Sequence, residues 1–414
     1  MVFIKSLQNK YSKLEHKLFV ISMILLNIYL WICNFEGVYG IPHIAKYLLS
    51  IYILGSFLYY SCKNWVIPQI LGIDRLALWL FVTWSILLLI GSFRTDIFYI
   101  QEIFGGRYYF IPFLLPLFFL FTQNELYFFK LLLRYTFILT FFAVAIQLYS
   151  LIFKRGIESW YDQYTLIMTF DLATPLLLFV SHLYKKRSVT ILAIIYYLNT
   201  IFLSALWGRR GWFLANLLLF ILFIIIRIKS DSVHPFRKFK IAFIFSLSAL
   251  TLVALSPLYV NKLYIFERGI DKSGWEDSRG KVVEDFFEDF KSQKDWLLGR
   301  GLNGTVLRTI LKDGDQARFV EIGYLNILLK GGLLFLIPML TLFLRSSYLG
   351  FFKTNNDLTK GLAAVIILQV AEMFTFGMAD FSPRYILVCI ATAACYNRHL
   401  RSISNKRLMI ILNK

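Results

Sequence analysis

Apolar residues in this chain come in long unbroken blocks, not in the alternations or narrow stripes of a soluble fold. A helix needs roughly 20 apolar residues to cross a bilayer. Blocks near that length centre on residues 18–35, 44–61, 76–91, 108–122, 131–153, 165–183, 189–206, 211–228, 241–260, 321–345, 359–377 and 384–397, the third, fourth and last being short. The pattern predicts an all-α polytopic membrane protein with about 12 transmembrane helices. One interval interrupts the series: Asn261 to Val320, about sixty residues, is too polar to enter a bilayer. It divides the chain into helices 1–9 (residues 1–260), a long loop (261–320), and helices 10–12 with a tail (321–414). There is no internal repeat and no low-complexity linker.

The loop has a pattern of its own. In "KVVEDFFEDFKSQKDWLLG", Val283, Phe286, Phe287, Phe290 and Leu297 share one helical face, with Glu284, Asp285, Glu288 and Asp289 opposite or beside it. Ser278 is placed to cap this helix, and Gly299 and Gly301 to end it. The expectation is a helix lying flat, its apolar face against the spans. The plain reading of the helix, and of its acidic face above all, is a structural lid with no direct chemistry.

Composition agrees with the blocks. The 414 residues are 58% hydrophobic with mean hydropathy +0.63, against about 45–50% apolar for a soluble domain. The net charge of +19 is not a nucleic-acid signature, because its Lys and Arg gather in alternate short loops. These hold Lys63 and Arg75; Lys130 and Arg134; Lys185, Lys186 and Arg187; Arg227, Lys229, Arg237, Lys238 and Lys240; and Arg345, Lys353 and Lys360. Such loops stay cytoplasmic, so both termini are expected inside and the 261–320 loop outside. That loop carries eleven Lys/Arg and eleven Asp/Glu, a neutral balance that permits export. The first apolar run lacks a small-residue cleavage site, so no cleavable signal peptide is expected. Cys33, Cys62, Cys389 and Cys395 lie in or beside spans and read as small hydrophobes.

Candidate chemistry lies on the outer side. Arg209 and Arg210, in "LSALWGRRGWFLANL", occupy a short outer turn against the charge rule. Charge at membrane depth costs about 2.5–3.5 kcal/mol on insertion scales and tends to be functional. Guanidinium forks hold phosphate bidentately; snorkelling to lipid headgroups is the plainer alternative. Arg279 heads the loop helix, where the dipole disfavours a cation unless an anion is shared. "GRGLNG" (Gly299–Gly304) has amides for phosphate but lacks the strand and lysine of a P-loop, so a helix stop is the simpler use. Glu321 opens the tenth span, where partial burial would favour general-base behaviour; dipole support is the simpler role. Lys330, Gly331 and Gly332 follow, the glycines allowing close helix packing. Asp380 and Arg384, in the last outer loop, are close enough in sequence to pair. Arg94, Asp96, Glu102 and Arg107 lie in an earlier outer loop, Arg107 at the head of a span.

In order, an outer "RRG", an "SR" before a loop helix, "LLGRGLNG" and "VEIGYLNILLKGG" resemble the O-antigen polymerase and O-antigen ligase family of bacterial envelope glycosyltransferases. Arg210 matches that family's arginine before a glycine, and Arg279 its arginine early in the long loop. Gly299, Gly301, Tyr324, Leu325, Leu328 and Gly331 match its glycine turn and "YL…L…G" helix. Ligases usually carry a histidine ahead of that "YL"; here Glu321 and Gly323 stand in the region and the 261–320 loop has no histidine. This departure favours a polymerase over a ligase. The resemblance covers roughly residues 195–345.

What the resemblance implies is a GT-C-like membrane enzyme of the bacterial cytoplasmic membrane, active on its outer face. It would move a growing chain from undecaprenyl diphosphate onto a new lipid-linked repeat unit of O-antigen, capsule or another exopolysaccharide. Arg210, Arg279 and Glu321 would be catalytic. Arg209, Arg107, Arg300 and Tyr324 would touch diphosphate or sugar. Donor and acceptor are undecaprenyl-diphosphate-linked oligosaccharides, membrane lipid surrounds them, and a chain-length regulator is a further implied partner. No cofactor, metal or nucleic acid is called for. Two other classes fit the pattern. A transporter or lipid-sugar flippase is suggested by "LGIDR" (Leu71–Arg75), although "LALWL" follows where basic residues belong. A non-catalytic envelope scaffold would use the arginines only to bind headgroups.

Overall fold

The computed structural model describes residues 2–39, 43–68, 70, 72–92, 110–153, 174–184, 186–206, 210–229, 278–307, 316–374 and 380–413. These are mostly helical. In chain order they form α1 (Val2–Tyr39), α2 (His43–Lys63), α3 (Ile73–Gly91), α4 (Ile111–Phe119), α5 (Leu126–Phe153), α6 (Thr174–Val180), α7 (Arg187–Leu206) and α8 (Arg210–Lys229). After the polar segment come α11 (Gly323–Phe352), α12 (Asp357–Glu372), α13 (Pro383–Tyr396), α14 (Arg398–Ser402) and α15 (Asn405–Asn413); the segment itself holds α9 (Ser278–Asp289) and α10 (Gln293–Leu298).

Six stretches are long and apolar enough to cross a membrane: Leu14–Cys33, Ile73–Gly91, Leu126–Tyr149, Arg187–Ala205, Gly211–Ile228 and Gly323–Phe352. Their exposed faces are the apolar ones. On α7, Ile191, Ile194, Ile195, Leu198 and Phe202 form an exposed stripe at helical spacing. On α3, Ile73, Leu76, Trp79, Leu80, Leu87 and Ile90 do the same. A soluble protein rarely shows contiguous apolar surface on this scale; hydrocarbon is the solvent that suits it.

Where twelve spans were expected, six meet this standard among the described residues. Among the described residues the fourth expected span holds the short helix α4, and the sixth holds α6 followed by a 3-10 turn at Ser181–Leu183. The ninth, 241–260, lies outside the described residues. Helix α11 runs seven residues past its expected end at 345, because Arg345 interrupts the hydropathy but not the helix.

The bundle centres on α12, α13 and the N-terminal half of α11. From Asp357 to Ile366 every residue of α12 is buried, as is every residue of α13 from Pro383 to Thr392. A helix buried all round is packed by other helices and not by solvent or lipid. Caps fix the starts of both: the Asn356 side chain accepts from the Thr359 amide (2.9 Å), and Ser382 caps α13 with Pro383 in its first turn.

Polar contacts sort into two ends of the bundle. At one, Arg345 Nε pairs with Asp74 Oδ2 (3.1 Å), His182 Nε2 meets Asp357 Oδ2 (2.8 Å), and Asn413 donates to the Leu183 carbonyl (2.9 Å). At the other, the end of α3 meets the polar segment through Ser92, and α11 starts beside the end of α12.

Candidate functional site

The polar segment folds onto α11 through its own small core. Val282, Phe286, Phe290, Val306 and Val320 bury against Leu328 and Leu329 of α11. The expected apolar face is therefore shifted. Val282 is buried where Val283 is only partly so, and Phe287 and Leu297 are exposed. Within α9 the four-residue spacing of Val282, Phe286 and Phe290 sets the buried face; Leu297 leaves it because of a break. The expected single helix divides at Ser292, whose extended backbone (φ −69°, ψ 130°) restarts it as α10. The turn folds Trp296 back on Phe290, ring centroids 5.4 Å apart, so the two pieces no longer share one helical phase. A two-residue hairpin, β1 (Val306–Leu307) with β2 (Gln316–Ala317), pairs Val306 opposite Ala317 beside this core.

The glycine motifs of the segment and of α11 interlock. Gly332 breaks α11 with φ 63° and ψ −169°, a region open only to glycine. The break lies roughly 13 Å below the helix start at a rise of about 1.5 Å per residue. It frees carbonyls, which must find donors inside a membrane protein. They do: Arg300 N donates to Leu329 O (2.7 Å) and Gly301 N to Lys330 O (3.1 Å), while Trp84 Nε1 on α3 donates to Gly331 O (2.7 Å). Gly299 and Gly332 are glycine for a second reason. A Cβ on Gly299 would lie 2.6 Å from Gly332 N, and one on Gly332 would lie 2.4 Å from Leu297 O. Lys330, buried, closes the joint by donating from Nζ to Gly304 O (2.8 Å). Leu302 N donates to Ser92 Oγ (3.1 Å), tying the turn to α3.

"GRGLNG" is thus a helix stop and a docking clasp. Its amides at Gly299, Arg300, Gly301 and Gly304 all bond protein carbonyls, so it offers no phosphate nest. Arg300, expected at the diphosphate, serves the same clasp. Its guanidinium reaches Asp295 Oδ2 (2.9 Å), Asp289 Oδ2 (2.6 Å), Thr305 O (2.8 Å) and Asp289 O (2.9 Å), which engages four of its five N–H donors. Burial alone would lower its pKa; the hydrogen bonds to Asp289 and Asp295 outweigh that and raise it.

Glu321 does not begin the span. It is exposed, and α11 starts at Gly323. Val320 and Ile322 on either side turn inward to the small core, and Glu321 between them faces outward. Tyr324 hydrogen-bonds the Val370 carbonyl (2.7 Å) and packs on Phe374, centroids 4.4 Å apart. It thereby fixes the end of α12. Arg107 and Arg209 lie outside the described residues, as do the side chains of Arg210 and Arg279. The backbone places Arg210 as the first residue of α8 and Arg279 in the first turn of α9.

The residue missed in the sequence is Glu372, the last of α12. It forms a buried ion pair with Arg384 of α13, and Asp380 accepts from the Ser382 hydroxyl. An acid inside the 359–377 block was the available signal, because such residues are rare in spans. The pair borders a cavity of about 20 Å³ lined also by Tyr196, Tyr197, Trp212 and Asn216. That volume suits a water-sized group and not a sugar ring. Tyr197 donates to the Asn216 carbonyl (2.7 Å). The starts of α8, α11 and α13 and the end of α12 therefore meet at one end of the bundle. Among the described residues no three of His, Cys, Asp or Glu cluster as metal ligands would. Comparison with family models, curated proteins and solved structures finds no match to this chain.

Proposed function

We propose that this protein polymerises a bacterial surface polysaccharide. It joins undecaprenyl-diphosphate-linked repeat units on the extracytoplasmic face of the cytoplasmic membrane. In this reading about twelve helices span the bilayer, both termini are cytoplasmic, and 261–320 is the one long outer loop. The observation that carries it is the interlock of "GRGLNG" with "LLKGG", two of the motifs behind the family resemblance, through Arg300 N–Leu329 O and Gly301 N–Lys330 O. The clasp fixes the segment headed by Arg279 over the same bundle end at which Arg210 opens α8. Two arginines there would hold the diphosphate and neutralise it as it leaves, an electrostatic contribution made where charge develops. Arg209 and Arg107 would extend that surface, and Tyr324 would position it. A sugar hydroxyl attacks the anomeric carbon, and the lipid diphosphate departs.

The test is extension of a lipid-linked repeat unit by purified protein, read as a product ladder. Arg210→Ala and Arg279→Ala should each abolish the ladder while the protein still inserts. Arg210→Lys should be severely impaired, because lysine keeps the charge and loses the planar fork. Near wild-type ladders from both alanine variants would remove the site. Translocation of lipid-linked sugar without growth would favour a flippase, and transfer onto a lipid core a ligase.

A further inference from the structure

We propose that Glu372 is the proton acceptor for the attacking sugar hydroxyl, that Arg384 positions its carboxylate, and that the cavity beside them receives that hydroxyl; this rests on the polymerase reading above. Both charges stand at the wrong ends of their helices. Glu372 closes α12, where carbonyls concentrate negative charge, and Arg384 is the second residue of α13, where amides concentrate positive charge. Both are also buried, at 4% and 9% exposure. Desolvating an ion pair commonly costs as much as its attraction returns, so stability is a weak reason to keep it. Ionisable groups held this way inside a membrane bundle tend to serve a substrate path.

The surroundings say which part of a substrate. Arg384 Nε and the Tyr196 hydroxyl have no hydrogen-bond partner among the described residues, and both residues line the cavity. Buried polar groups left without partners are costly, and a hydroxyl entering the cavity would satisfy them. Its volume of about 20 Å³ admits one oxygen-bearing group while the ring stays outside. Trp212, which lines it, is two residues from Arg210, so the Arg210 backbone lies about 3 Å further along the axis. The proton acceptor and the leaving-group arginine are therefore at the same helix ends.

The step balances without a co-reactant. The hydroxyl O–H bond breaks and its proton passes to the Glu372 carboxylate. The oxygen's electron pair forms the bond to the anomeric carbon. The bond from that carbon to the diphosphate oxygen breaks, and its pair leaves with the lipid diphosphate. The proton then passes from Glu372 to water.

The experiment uses the full chain in bilayer nanodiscs, with ladder extension and undecaprenyl diphosphate binding read separately. Glu372→Gln should slow extension by about 10²- to 10⁴-fold and leave undecaprenyl diphosphate affinity unchanged. The double variant Glu372→Gln/Arg384→Gln removes both buried charges. A purely structural pair predicts that it recovers extension; the proposal predicts a folded, inactive protein. Near wild-type extension from either variant overturns the assignment. Should both fail to insert, Tyr196→Phe decides, since full activity without that hydroxyl overturns the proposed placement. Wild-type protein without a ladder would instead sink the polymerase reading, and this inference with it.

Discussion

Gly332→Ala is the sharpest test of the clasp. The added Cβ would lie 2.4 Å from Leu297 O and 2.5 Å from Gly299 N, both backbone atoms that cannot rotate away. The residue is also held at φ 63°, where a side chain costs of order 1–3 kcal/mol. Opening forfeits Arg300 N–Leu329 O and Gly301 N–Lys330 O in wild type and variant alike, so only the strain added to the closed joint, of order 1–3 kcal/mol, shifts the balance. At about 1.4 kcal/mol per tenfold, the open clasp becomes about 10- to 10²-fold more populated. Hydrogen exchange at the Arg300 and Gly301 amides should lose protection by that factor, while amides of α15, which packs on α5 and the Ser181–Leu183 turn and not on α11, keep theirs. Gly55→Ala is the control: nothing lies within 4 Å of its added Cβ, and it should be neutral or stabilising by up to about 1 kcal/mol. Unchanged protection at Arg300 and Gly301 in Gly332→Ala would refute the interlock.

A reporter active only outside the cytoplasm should work when fused after Lys291 and fail after Lys186 or Lys238; activity after Lys238 would overturn the orientation. Arg300→Ala should destabilise the polar segment without altering undecaprenyl diphosphate affinity, measured by thermal melting and direct binding; selective loss of affinity in a fully stable variant would restore Arg300 to the ligand. Trp84→Phe deletes the bond to Gly331 O and should cost about 1 kcal/mol, seen as a lower melting temperature; no change would show the carbonyl satisfied otherwise. Ladder formation should persist in excess chelator, and a loss reversed by magnesium would sink an arginine-only account of the leaving group.

The all-α, membrane-spanning character was legible because hydrocarbon leaves a coarse record: uniform apolar blocks need no knowledge of neighbours. The limits of the spans were less so, as Arg345 in mid-α11 and the short α4 show. The loop helix was legible, but its buried face was not. Which residues of α9 are buried follows from what it packs against on α11, and Leu297 leaves the face because of the break at Ser292, where Trp296 returns onto Phe290. The tandem glycines of α11 read as generic packing residues. Their use at a break is visible only once the amides of Arg300 and Gly301 lie across from it. Glu321 misled because a position at the edge of a hydropathy block says nothing about which way an extended residue points. Glu372 was hidden for the opposite reason: the apolar average of its block masked a single acid.

The two buried charge groups of α12 put the Glu372 assignment in relief. At the helix start, Asp357 is wholly buried and accepts from His182 Nε2 (2.8 Å), Lys360 Nζ (3.0 Å) and Asn405 Nδ2 (3.0 Å). A carboxylate opening a helix is where the dipole favours it, and Arg227, in the last turn of α8, is likewise placed with the dipole. That knot ties the Ser181–Leu183 turn after α6 to α12 and α15, and none of its residues lines the cavity. It has the character of a bolt: removing Asp357 should cost stability, by about 3–5 kcal/mol for a broken buried pair. The pair at the far end of the same helix reverses each feature. Its charges oppose both dipoles, its arginine keeps an unused donor, and it faces a cavity. If Glu372 and Arg384 were a second bolt, neutralising both should lower the melting temperature as neutralising Asp357 and Lys360 does, and reduce extension only in proportion. Melting curves and ladders for the two double variants, measured side by side, separate a bolt from a site. Equal loss of melting temperature in both, with extension lost only in proportion, would place Glu372 among the bolts.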